Sequence, residues 1–141
     1  MRPALVDDQI LSAVLREKTP KPLAKRELHT TGYWYVRLCQ AVLGSDVADG
    51  SLSRPFGALP PELRVRAEMA LLELPTEIGL LSLRVLGPEI GILRRRFHLN
   101  ALGIEALAAA QRLEADVFLA TPSPGLQDAL ATVSLRCRII V

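Results

Sequence analysis

At 141 residues, half of them apolar and only 4% aromatic, the chain has the length of one domain and can bury roughly two-thirds of its unfolded surface in a single aliphatic core. Neither a disulfide nor a structural metal is required for such a core. A net charge of +2 is too mild to be the footprint of a protein that tracks a phosphate backbone unaided.

The opening MRPALVDDQ places Asp7 and Asp8 where the apolar stretch of a signal peptide would run, so no signal peptide is expected. Arg84 and Glu89 interrupt the most hydrophobic window, so no membrane span is expected either. The expectation is a cytoplasmic protein with residues 1–141 in one domain. Ala4 to Val6 reads as a short strand ending at Asp7, and Ile10, Ala13 and Val14 then recur at helical spacing up to Arg16. Residues 17–27, with two prolines and mixed charge, read as a solvated connection whose Lys18, Lys21, Lys25 and Arg26 are also candidates to touch an acidic partner. Leu28 to Thr31 is a second strand. A helix follows from Tyr33 to Gly44 with Trp34, Leu38, Ala41 and Val42 along one face. The Tyr33-Trp34-Tyr35 triplet has base-stacking chemistry, but Trp34 at helical spacing reads as core.

Residues 45–60 are rich in glycine, proline and serine and read as a surface loop or lid. Pro61 opens a helix where a missing N–H costs nothing, with Leu63, Ala67, Ala70, Leu71 and Leu74 in one stripe. Ile78 to Leu83 is a third strand, and its near-continuous apolar character predicts that both its faces are covered. Gly87-Pro88-Glu89 begins the next helix, with Ile90, Leu93 and Phe97 inward. Arg94, Arg95 and Arg96 crowd its last turn, where cations complement the helix dipole or form a nucleic-acid patch. Residues 100–121 then read as one helix, striped by Ile104, Leu107, Ala108 and Leu113, feeding a buried strand at Val117 to Ala120. Ser123-Pro124 starts the last helix, with Ser123 as a hydroxyl cap for the N–H of residue 125 or 126. Arg138 to Val141 is the final strand.

Five strands alternating with helices predict a three-layer α/β/α sandwich around a central, mostly parallel five-stranded sheet. Cys39 and Cys137 fit no metal-binding spacing and read as small buried hydrophobes. No glycine-rich phosphate loop, HExxH, GxSxG or CxxC is present.

Open parallel sheets bind ligands beyond the carboxyl ends of their strands. Asp7 and Ser123 follow such ends, and Glu105 starts the helix before the fourth strand. With LVDDQILSAVL at the front and ELPTEIGLLSLRVLGPEIGILRRRFHLNALGIEALAAAQRLEADVFLAT in the second half, the chain resembles the PIN-domain family, which includes VapC-type toxins of toxin-antitoxin pairs. The resemblance implies about four acidic residues gathered there to hold magnesium or manganese and cleave RNA. Clustered carboxylates suit that chemistry, because hard divalent cations take oxygen ligands and a bound metal can activate water.

Carried over by position, the family's first acid falls on Asp7 and its third on Glu105, sixteen positions before the strand-end Thr121. Where the family commonly has another Asp stands Ser123, and its second acid falls on Arg37, which reverses a charge. The resemblance therefore implies catalytic Asp7 and Glu105, a metal held weakly or not at all by Asp7, Asp8 and Glu105, and a cleft containing Arg37, Thr121 and Ser123. Arg37 is expected to stand in for the metal by pairing with Asp7, Glu105 or both. The leading expectation is a PIN-like protein with a degenerate, metal-poor nuclease centre that binds a partner or nucleic acid. Its partners would be RNA or a small antitoxin-like protein, and a homo-oligomer is expected. The alternatives are an active magnesium- or manganese-dependent endoribonuclease, with Glu27, Asp46 or Asp49 as the missing acid, and a structural or oligomeric interaction protein with no cleft ligand.

Overall fold

The computed structural model describes residues 1–44 and 50–140. Strand β1 (Ala4–Val6) passes into α1 (Asp8–Leu15), and after a 3-10 turn at Lys21–Leu23 come β2 (Leu28–Thr30) and α2 (Gly32–Leu43). A short α3 (Arg54–Gly57) and α4 (Pro61–Leu72) precede β3 (Ile78–Leu80) and α5 (Leu83–Leu93). The chain closes with α6 (Ala101–Leu113), β4 (Asp116–Leu119), α7 (Pro124–Thr132) and β5 (Cys137–Ile139).

All four strand pairings are parallel, in the order β3-β2-β1-β4-β5. This is the three-layer α/β/α arrangement that the alternation predicts. Strand periodicity sorts the core into two halves, because successive side chains point to opposite faces. Leu5 is in register with Val117, and both join Leu119 in one cluster with Leu86 and Leu93 of α5, the alanines of α6, and Leu126 and Leu130 of α7. Ala4, Val6 and Phe118 face the other way, onto Ile10 and Leu11 of α1, Leu38 of α2, Phe56 of α3 and Leu71 of α4. The alanine-rich side of α6 lets that helix lie close on β1 and β4, and Ala106, Leu107, Ala108 and Ala110 are all fully buried.

Several boundaries differ from the sequence expectation. The third strand stops at Leu80, and α5 begins at Leu83 behind a Ser82 side-chain cap rather than at Gly87. Pro88 therefore lies inside the helix; the bare Gly87 before it removes one of the clashes that normally keeps the pre-proline residue out of helical conformation. β3 is an edge strand, with Leu80 43% exposed, so its apolar run does not report two covered faces. Gly79 in that strand sits beneath the His29 ring, where an added Cβ would come within 2.1 Å of Nδ1. The predicted loop at 45–60 divides. Residues 45–49 lie outside the described residues, whereas Leu52 and Phe56 are buried in the core and α3 forms around them.

At the amino-terminal edge of the sheet, Arg26 is no solvated loop residue. Its guanidinium pairs with Asp116 at 2.7 Å and stacks on Phe118, 5.1 Å from the ring centroid. Cys39 and Cys137 are free thiols, partly rather than fully buried.

Candidate functional site

The strand order reverses direction at β1 and β4. The chain adds β2 and β3 on one side of β1, then returns to place β4 and β5 on the other. A crevice is expected beyond the carboxyl ends of strands at such a switch point, and a cavity of about 300 Å³ lies there. Asp7 and Asp8 line it from the end of β1, and Leu119, Thr121, Pro122 and Ser123 from the end of β4. Trp34 and Arg37 enter from α2, and Asn100, Leu102 and Gly103 from the start of α6. The structure thus brings Asp7, Asp8, Arg37, Thr121 and Ser123 to one cavity. Glu105, Arg94, Arg95 and Arg96 are not among the lining residues.

Asp7 is the N-cap of α1, in extended conformation. One oxygen accepts from the N–H of Ile10 at 2.9 Å and the other from the N–H of Ala120 at 2.8 Å. A single carboxylate so ties the β1–α1 corner to the β4–α7 corner. Burial pushes its carboxyl above the ordinary value, with the backbone N–H groups opposing that shift and neighbouring Asp8 adding to it.

Asp8 occupies the first turn of α1 and is 6% exposed. Its Oδ2 lies 3.3 Å from Nη1 of Arg37. That contact is an ion pair without an aligned hydrogen bond: Oδ2 is a buried atom with no hydrogen-bond partner. Desolvation raises the Asp8 carboxyl, while Arg37 and the backbone N–H groups of Gln9 and Asp8 itself pull it back down. The Arg37 side chain is half exposed.

Arg37 consequently reaches the cavity but pairs with Asp8, not with Asp7 or Glu105. Both oxygens of Asp7 already carry backbone N–H groups. Glu105 sits at the amino-terminal end of α2: its oxygens accept from the N–H of Gly32 at 3.0 Å and of Tyr33 at 2.9 Å. Arg37 is five residues further along, about 7.5 Å at the helical rise. Glu105 is 1% exposed and acts as a cap for a helix 73 residues away in sequence, where a carboxylate also suits the helix dipole. Gly32 makes room for it, since a Cβ there would approach Glu105 Oε2 to 3.1 Å.

No protein-family model matches the chain, and no curated protein matches it.

The donor set does not fit a hard divalent cation well. Such an ion takes six or more oxygen ligands, with carboxylates prominent among them. Both oxygens of Asp7 and of Glu105 are engaged by backbone N–H groups, and Asp8 Oδ2 faces a guanidinium. Among the described residues no three His, Cys, Asp or Glu side chains converge as a metal site. Of the alternative acids, Asp46 and Asp49 lie outside the described residues. Glu27 precedes β2, at the opposite end of the sheet, where it approaches His29 at 3.7 Å.

Ser123 lines the cavity without capping α7 through its hydroxyl. Its backbone N–H instead donates to the Gln127 side chain at 2.9 Å, so the partner lies one turn on rather than at residue 125 or 126. Pro124 at the first position has no N–H to be capped, and Ser123 adopts φ −136°, ψ 86°. Two of the three clustered arginines are likewise engaged locally. Arg94 caps α5 and donates to the Leu99 carbonyl, and Arg96 lies over the Phe97 ring at 4.9 Å. The sequence reading missed Asn100, whose side chain caps α6 by accepting from Gly103 at 2.8 Å; an Asn directly before an apolar-periodic run is the signal that marks it.

Proposed function

We propose that this chain is a PIN-like protein whose nuclease centre is degenerate and whose crevice binds a partner or nucleic acid instead of cleaving a phosphodiester. The α/β/α sheet with an aspartate at the end of β1 supports the PIN-like part of this reading. The degenerate part rests on one observation. The two acids that the resemblance assigns to catalysis, Asp7 and Glu105, each have both oxygens hydrogen-bonded to backbone N–H groups, and Asp8 already has a cation beside it. An incoming metal would compete for the same carboxylate charge with the N–H groups that hold the β1–α1 corner and cap α2, and would meet Arg37 besides. RNA or a small antitoxin-like protein in the cytoplasm, and a homo-oligomeric state, belong to the same proposal.

Calorimetric titration with manganese, run beside an RNA cleavage assay, tests it. The wild type should bind manganese no more tightly than a surface carboxylate does and should leave RNA intact, and Arg37→Glu should gain binding by exchanging repulsion for an added oxygen donor. Tight wild-type binding that disappears in Asp7→Asn, accompanied by manganese-dependent cleavage, would establish the active endoribonuclease instead.

A further inference from the structure

Asp8 Oδ2 poses a problem that the ion pair with Arg37 does not solve. A buried carboxylate oxygen without a hydrogen bond is costly, more so than a neutral acceptor, because it is charged. The backbone N–H groups of Gln9 and Asp8 favour the charged carboxylate, but no donor is aligned on Oδ2. Arg37 stands close enough for Coulomb attraction but is misaligned for donation. A guanidinium is a planar fork that suits two carboxylate oxygens at once, and here the ion pair is a single contact from Nη1 to Oδ2 at 3.3 Å.

We infer that the cavity at the β1/β4 switch point is a binding site for a primary alkylammonium group, which displaces Arg37 and donates to Asp8 Oδ2. This rests on the reading of the crevice as a binding site not committed to a metal. An ammonium is a compact point charge with three rotatable donors, so one open carboxylate oxygen and the neighbouring Thr121 and Ser123 hydroxyls can meet it. A divalent metal would need several free carboxylate oxygens at the same place. The walls suit an aliphatic stem: Trp34, Leu102, Leu119 and Leu126 line the cavity beside these polar groups. A volume of about 300 Å³ limits the ligand to a short chain. Arg37 can leave, because its side chain is half exposed and swinging outward hydrates its charge.

Free alkyl amines and the lysine side chain of a peptide share this chemistry. Trp34 is the single tryptophan of the chain and lines the cavity, so its fluorescence reports occupancy directly. Titrations at constant ionic strength would use n-butylammonium, 1,5-diaminopentane, a lysine blocked at both backbone ends, and n-butanol as the uncharged control. The amines should give a saturable change that n-butanol does not, and the tighter of the diamine and the blocked lysine identifies the source. Arg37→Ala should tighten amine binding roughly five- to tenfold, because the competing cation is gone. Asp8→Asn, checked for an unchanged fold by circular dichroism, should abolish it. An equal response to n-butanol, undiminished binding in Asp8→Asn, or no saturable change in either the wild type or Arg37→Ala overturns the inference. Manganese in parallel separates the two proposals: tight metal binding dependent on Asp7 overturns the metal-poor reading, whereas failure of the amines without metal binding overturns only this one.

Discussion

Asp8 and Glu105 are both buried carboxylates, yet their surroundings give them opposite effects on stability. Glu105 meets two backbone N–H groups that α2 would otherwise leave without acceptors. Glu105→Gln keeps one acceptor oxygen and turns an amide N–H toward one of those donors. The expected loss is about 1–3 kcal/mol, read as a lower urea midpoint at unchanged slope; an unchanged midpoint would mean that α2 does not depend on this cap. Asp8 is the converse case. Desolvation holds its carboxyl above the ordinary 3.8 despite Arg37, so the folded chain holds that proton more tightly than the unfolded chain. Its contribution to stability therefore falls as pH rises from 3.8 through the folded value, and the full penalty persists above it. Asp8→Asn removes the penalty and should melt at a higher temperature than the wild type near neutral pH. The gap should close as pH falls to 3.8 and below. A variant that melts lower at neutral pH would show that Arg37 and the helix dipole outweigh burial.

Helix ends show most clearly what the sequence does and does not reveal. The starts after Asp7 and at Pro61 were legible, because a carboxylate ends the first strand and a proline opens the fourth helix. The start of α5 is masked by Pro88, which reads as a first-turn proline although Ser82 is the cap. The ends were harder. α1, α6 and α7 are each followed by a non-glycine residue in left-handed conformation: Glu17 at φ 64°, Glu114 at φ 51° and Ser134 at φ 61°. In each case the next N–H reaches back five residues, from Lys18 to Ala13, Ala115 to Ala110 and Leu135 to Leu130. That is the Schellman pattern, which usually places glycine at the left-handed position; with no glycine there, the usual stop signal is absent. Such a residue carries about 1–2 kcal/mol of steric cost, partly offset by the greater unfolded-state entropy of glycine. Glu114→Gly should therefore raise stability by about 0.5–1 kcal/mol, measured by urea unfolding. A loss would point to an interaction of the Glu114 side chain strong enough to outweigh its backbone.

At the scale of the molecule, alternation of strand and helix made the sandwich legible, but nothing in the residues of β3 or β5 announced that these were the edges. The apolar run at Ile78–Leu80 looks like that of β1, because Ile78 is buried against Leu38 and Leu71 even at the edge. The geometry is unequal all the same. β1 and β4 are flanked by a strand on each side and by helices above and below, and Leu5 and Phe118 are almost fully buried. β3 and β5 have one neighbour each, and Leu80 and Ile139 are exposed. Opening an edge strand costs one ladder and little apolar burial, whereas freeing β1 or β4 disrupts both halves of the core together. Amides that open only with global unfolding exchange most slowly, and those released by local opening exchange faster. Hydrogen exchange should therefore rank Leu5, Val6, Val117 and Phe118 as the most protected, with Leu80 and Ile139 faster by at least about tenfold, the equivalent of about 1.4 kcal/mol. The crevice follows the same logic, since Asp7 and Thr121 extend from the two most protected strands while Arg37 reaches in from a helix. Equal protection across all five strands, or faster exchange at Leu5 than at Leu80, would contradict the central placement of β1 and β4 and with it the switch point on which the site depends.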